Sequence, residues 1–176
     1  MYSFTMPNYK RNFEPGGTFF FTVNLQNRRS SLLVDEIDAL RQAYKKVQSK
    51  RPFETIAICI LPNHLHCIWD LPEGDTDYPT RWRLIKTAFT KSIQQRGKTR
   101  RKGEGGIWQR RYWEHTIETE KDLNNCIDYI HFNPVHHGLV EEINNWPYSS
   151  WQRHLPELKR ELDENRIILN KKIYGE

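Results

Sequence analysis

Cysteine is scarce in this chain of 176 residues, with only Cys59, Cys67 and Cys126. They are odd in number, widely spaced and without a C-x-x-C pair, which argues against a disulfide framework and a structural zinc knuckle. Each sits in an apolar pattern, so buried thiols in a reducing cytoplasm are the expectation. Long apolar runs are missing too, and none approaches the length of a membrane span. The opening stretch Met1–Lys10 lacks the apolar core of a secretory signal. No internal repeat is visible, and no shift in composition marks a second domain. These absences leave a soluble, cytoplasmic chain without a membrane partner.

Apolar residues make up 37% and aromatic residues 12%, generous for so polar a sequence. That combination suits one folded domain with a real core and some exposed rings. Lys and Arg number 27 against 22 Asp and Glu, a formal charge of +5. Such a surplus permits a polyanionic partner without demanding one, and the clustering of the charges carries more information.

After the breaker cluster Pro15-Gly16-Gly17, the run from Thr18 to Leu25 is β-branched and aromatic, which predicts a strand. Asn27 to Ser31 reads as a basic loop. Ile37, Leu40, Tyr44 and Val47 keep helical spacing up to Lys50-Arg51-Pro52. Strands follow at about 54–61 and 64–71, joined by Pro62-Asn63. Trp82, Ile85, Phe89 and Ile93 mark a second helix, and residues 96–106 form a basic, glycine-rich loop. The segment Ile107 to Ile117 begins as loop and ends as a strand. Thr119, with Asp122 three residues on, predicts the N-cap of a third helix. Leu123, Cys126, Ile127 and Ile130 supply that helix's apolar stripe, and Pro134 is expected to close it. The order strand, helix, strand, strand, helix, strand is that of the α+β, ferredoxin-like split β-α-β sandwich. Its antiparallel sheet would carry helices on one face, with the third helix as an addition. Residues 1–152 form the expected domain. Within them Trp146 to Trp151 packs back on the fold, and 153–176 form a tail expected to dock on the same unit.

The sequence turns on I-C-I-L-P-N-H-L-H-C-I-W-D-L, residues 58–71. In the second strand, alternation points His64 and His66 one way and Leu65 and Cys67 the other. Two imidazoles at i and i+2 can grip one metal ion. The alternative is one solvated ring and one satisfied by a local hydrogen bond.

On the third helix, Tyr129 and Asn133 stand four residues apart on one face, beside the apolar stripe. A metal held by two imidazoles and an amide oxygen keeps positions open for water and phosphate oxygens. A tyrosine hydroxyl, with a pKa of about 10, needs a nearby cation or base before it attacks. In return it stores a broken linkage as a phosphotyrosine. Tyr129 as a half-buried core residue is the plainer alternative.

L-P-N-H-L-H-C-I-W, followed some 60 residues later by D-Y-I-H-F-N-P-V-H-H-G-L-V, resembles the HUH single-tyrosine transposases. Within them the likeness is to the REP-associated tyrosine transposases of bacteria, over about residues 15–151. The resemblance implies cleavage and rejoining of single-stranded DNA at or near repetitive extragenic palindromes that fold into hairpins. It implies Tyr129 as the nucleophile, linked to a 5′ phosphate, and His64, His66 and Asn133 as ligands of Mg²⁺ or Mn²⁺. His136 stands where relatives usually carry Lys, so the pair His136-His137 is either a phosphate contact or part of a solvated loop. A monomer and a homodimer that exchanges its tyrosine helices both fit.

Basic and aromatic residues interleave at Trp108, Arg110, Arg111 and Tyr112, a pattern able to stack bases and neutralise phosphates. The same rings can instead alternate into the core. Arg28, Arg29, Arg81 and Arg83 are further candidate phosphate contacts or plain surface. Two rivals remain: a hairpin-binding protein without catalysis, and a zinc hydrolase that uses water as nucleophile.

Overall fold

The computed structural model describes residues 14–95 and 106–154. Most of the basic loop expected at 96–106, and the tail beyond His154, lie outside the described residues. Four strands form one antiparallel sheet: β1 (Thr18–Asn24), β2 (Glu54–Ile60), β3 (His64–Asp70) and β4 (Trp113–Ile117). Their order is β2-β3-β1-β4, the split β-α-β arrangement. The short α1 (Leu32–Asp35) leads into α2 (Ile37–Lys50), and α3 (Tyr78–Gln95) crosses between β3 and β4. After β4 comes α4 (Glu120–His136), then a 3-10 turn at Ile143–Asn145 and the short α5 (Trp151–His154).

Alternation along the strands divides the interior in two. Phe19, Phe21, Val23, Leu65, Cys67 and Trp69 face α2 and α3 and build the larger core with Trp82, Ile85 and Phe89. Trp69 and Trp82 stack at 4.3 Å and 14°. Phe20, Ala57, Cys59 and Ile68 face the other way and pack on Cys126, Ile127, Tyr129 and Ile130 of α4. The added helix therefore covers the sheet face opposite α2 and α3. The larger apolar side chains among them, Phe20, Ile68, Ile127 and Ile130, contribute roughly 1.5–3 kcal/mol each by leaving water, so α4 is held mainly by its apolar stripe.

Thr119 caps α4 as expected, its Oγ1 accepting from the Asp122 amide at 3.1 Å. Pro134 does not close it. The helix runs on to His136, and the turn spanning the proline stays hydrogen-bonded, the His137 amide donating to the Asn133 carbonyl. The end comes at Gly138, whose φ of +64° suits glycine. There the Gly138 amide donates to Val135 and the Leu139 amide to Pro134, a paired ending typical of a left-handed C′ residue.

The segment Trp146 to Trp151 packs along the outer side of β2. The Ile60 amide donates to the Tyr148 carbonyl and the Ile58 amide to Ser150 Oγ, both at 2.9 Å. Ser150 Oγ also lies 2.9 Å from His131 Nε2 on α4.

Candidate active site

On the α4 face of the sheet, register sets the neighbours. His66 pairs with Thr22 on β1, and His64 with Asn24. Directly opposite partners share a face, and Thr22 Oγ1 lies 2.9 Å from His66 Nδ1. The two imidazoles stand edge to face, with centroids 4.9 Å apart. Both are buried, His64 at 3% and His66 at 0% exposure.

The tautomer of His64 follows from its neighbours. Asn63 Nδ2 donates to the Arg28 carbonyl, so Asn63 Oδ1 is left to face His64 Nδ1 at 2.5 Å. A carbonyl oxygen only accepts, so Nδ1 carries the proton and Nε2 keeps its lone pair. That is the state a metal-binding imidazole requires.

From the opposite side α4 presents Tyr129, Asn133 and His137, one stripe at i, i+4 and i+8. The Tyr129 ring lies 5.2 Å from His66 and 5.9 Å from Phe20, within its own chain. Asn133 is fully buried, and neither amide atom has a hydrogen-bond partner among the described residues. A buried amide left so costs several kcal/mol unless something takes its oxygen. Two imidazoles and that amide fit the donor set of a divalent ion.

The ring that reaches His64 at the end of α4 is that of His137, at 5.1 Å and 71°. His136 is exposed in the last turn. Thr22 and Asn63 thus line the candidate site without having been singled out from the sequence, whereas His137 is named there with His136 as a phosphate contact or solvated loop. Adjacency to His64 could have found Asn63. Thr22 carried no signal before its register was known.

Arg81 requires correction as a DNA contact. It is 2% exposed, with its two terminal nitrogens 3.0 and 2.6 Å from the Asp75 carboxylate and further bonds to the carbonyls of Arg51 and Pro52. Those hydrogen bonds hold the Asp75 carboxyl below its usual range. This guanidinium serves the fold.

Trp108 and Tyr112 are half-buried on the α3 side. Trp108 meets Phe89 at 5.4 Å, and Tyr112 meets Phe21 and Trp82 at 6.0 and 6.1 Å. Arg83, Arg110 and Tyr112 come together with Lys86 around a cavity of about 420 Å³. Arg28, Arg29, Arg83, Arg110 and Arg111 are all exposed. Arg28 stands near the histidine pair, where its side chain donates to Asn24 Oδ1 and its carbonyl accepts from Asn63.

The family model "Transposase IS200 like" matches residues 20–133. A REP-associated tyrosine transposase of Escherichia coli is 49% identical over 148 residues, 84% of each chain. The chain belongs to the REP-associated tyrosine transposases. A Haemophilus influenzae protein placed in the same group is 51% identical over 153 residues, 84% of this chain and 87% of that one. A solved structure, of the REP-associated tyrosine transposase bound to a REP hairpin, matches with a TM-score of 0.79 and 46% identity. It covers 90% of both chains. Membership makes this protein a transposase, an enzyme of DNA strand transfer, and its α+β sheet architecture is that of the relative. No helix among the described residues is long and apolar enough to cross a membrane.

Proposed function

We propose that this transposase cleaves and rejoins single-stranded DNA at or beside REP-type hairpins, with Tyr129 as nucleophile. The observation that carries this is Tyr129 set against His66, itself paired with His64, on the buried face between α4 and the sheet. The Tyr129 hydroxyl gives its proton to water, its oxygen attacks the phosphorus, and the bond to the 3′ oxygen breaks. The tyrosine is left as a 5′-phosphotyrosine, and the departing oxygen takes a proton to become a free 3′ hydroxyl. That hydroxyl can attack the adduct in turn, so the phosphodiester energy is kept and rejoining needs no external source. His64, His66 and Asn133 would hold Mg²⁺ or Mn²⁺. When bound, the ion polarises the phosphate and stabilises charge on its oxygens. Asn63 and Thr22 hold the two imidazoles in place.

The hairpin partner is proposed from the relative whose solved structure holds one. Arg28 and Arg29 would meet phosphates near the nucleophile. Arg83, Arg110 and Arg111 would meet them on the α3 side, where the half-buried rings of Trp108 and Tyr112 would stack unpaired bases, with His136 at the end of α4.

Tyr129→Phe removes the attacking oxygen and keeps the ring. Incubated with a labelled, flanked hairpin and Mn²⁺, the wild type should form a covalent adduct that maps to Tyr129 by peptide mass. The variant should bind the hairpin yet give neither adduct nor nick. Wild-type cutting by the variant, or an adduct on Tyr112 or Tyr148, would overturn the assignment. A mobility shift with no adduct from the wild type would mark a binding protein.

A further inference from the structure

A second group of donors lies on the same sheet face, at the start of α4. His115 on β4 sits opposite Phe20, and its Nε2 is 2.7 Å from Asp122 Oδ2. The other carboxylate oxygen of Asp122 is 3.8 Å from Cys126 Sγ. One donor atom from each residue falls within 4.8 Å of the other two, and no other such trio of His, Cys, Asp or Glu occurs among the described residues. We propose that His115, Asp122 and Cys126 bind a zinc-class divalent ion, distinct from the ion at His64 and His66, with water in the fourth position.

Local structure places each donor. The Thr119 cap fixes Asp122 in the first turn of α4, and Cys126, four residues on, falls on the same helix face. The His115 ring stacks on Trp113 at 5.9 Å and 11°, which holds its edge toward Asp122. A surface ion pair at a helix start would account for His115 and Asp122 alone. Cys126 also fills the core beneath α4, but its Sγ is the atom that faces the second oxygen of the carboxylate.

Spacing and donor type choose the ion. Bond lengths of about 2.0–2.3 Å in a tetrahedral site put neighbouring donors roughly 3–4 Å apart. Asp122 Oδ1 already has that spacing from Cys126 Sγ at 3.8 Å, while His115 Nε2 meets the other oxygen at 2.7 Å, so a turn of the carboxylate would present one oxygen to both. One thiolate, one imidazole and one carboxylate favour Zn²⁺ or Co²⁺ over Mg²⁺, which prefers oxygen alone. Three protein ligands leave one place open. His115 and Asp122 are 34% and 24% exposed, so an ion has a route in, while Cys126 is buried. On binding, the thiol gives its proton to solvent. Cys126 stands three residues before Tyr129, so such an ion would tie β4 to the tyrosine helix one turn from its nucleophile. Binding here does not depend on the chemistry proposed for Tyr129.

Cobalt distinguishes the two sites, because His64, His66 and Asn133 offer no sulfur. Titration of the intact protein with Co²⁺ should raise a near-ultraviolet thiolate-to-cobalt band, which Zn²⁺ then displaces. The band should vanish in Cys126→Ser and in His115→Gln, and persist in the double variant His64→Ala, His66→Ala. Zn²⁺ affinity, read by calorimetry in that double variant, should fall by at least the roughly 100-fold that losing a ligand's supporting partner can cost when His115→Gln is added. His115 is part-exposed, so its variant remains informative if Cys126→Ser fails to fold. Absence of the band in wild type at excess Co²⁺ would overturn the proposal, as would its survival in His115→Gln. Loss of the band in the double histidine variant would do the same, by assigning the sulfur to Cys59, the cross-strand partner of His66.

Discussion

Asn63 accepts a hydrogen bond from His64 Nδ1 at 2.5 Å while its own amide nitrogen donates to the Arg28 carbonyl. One side chain thereby fixes both the ring orientation and the tautomer of a proposed ligand. Removing such a support typically lowers metal affinity about 10–100-fold. Asn63→Ala should therefore weaken Mn²⁺ binding by that factor, read by electron paramagnetic resonance, with the fold intact. Asn63→Asp keeps an acceptor for Nδ1 and should lose less. Equal losses in the two variants would show that the hydrogen bond to His64 is not what matters.

Arg81→Met should cost about 3 kcal/mol, the upper range for charged hydrogen bonds, because the guanidinium is buried although Asp75 is part-exposed. In a chain of this length that lowers the melting temperature by roughly 6–12 °C. The loss should depend on pH. Arg81 holds the folded-state pKa of Asp75 below its unfolded value. The pair's contribution is therefore full above the unfolded carboxyl pKa of about 3.9 and fades as pH falls through the folded value. Denaturation curves of variant and wild type should converge in acid. Hairpin affinity, measured while both are folded, should be unchanged.

Arg110 and Arg111 are exposed and are proposed to neutralise phosphates. Each arginine withdrawn from a phosphate flattens the dependence of log affinity on log salt by about 0.7–0.9. Arg110→Ala with Arg111→Ala should lower the slope by roughly 1.5 for a flanked hairpin, without a change in melting temperature. An unchanged slope would remove both arginines from the interface.

Gly138 ends α4 at φ +64°. A side chain there costs about 1 kcal/mol, so Gly138→Ala should lower the melting temperature by roughly 2–4 °C. Since nothing lies within 4 Å of an added Cβ, the loss should reflect backbone strain alone. Gly138→Asn, which tolerates the left-handed region better, should recover part of it.

Most of the fold was legible because its signals were local. Alternation placed His64 and His66 opposite Leu65 and Cys67, and Thr119 announced the start of α4. Helical spacing joined Tyr129 to Asn133 before any contact was known. What failed was decided by partners distant in sequence. Arg81 looked like one surface cation among many until its contacts with Asp75 and the carbonyls of Arg51 and Pro52 were visible. Pro134 looked like a terminator, but the left-handed Gly138 decides where the helix ends. Thr22 gained its place from strand register, which no local pattern encodes. The four-residue helix Leu32–Asp35 is too short to leave a periodic trace.

The strip Tyr148–Ser150 along β2 bears on how this sheet meets other chains. An edge strand ordinarily invites any extended peptide to pair with it. Here the outward amides of Ile58 and Ile60 are already taken by Ser150 and Tyr148. Extending the sheet beyond β2 would mean peeling that strip away, and Ser150 would take with it a hydrogen bond to His131 on α4. Strand addition at this edge, whether in aggregation or in recruitment of another protein, therefore competes with the seating of the helix that carries Tyr129.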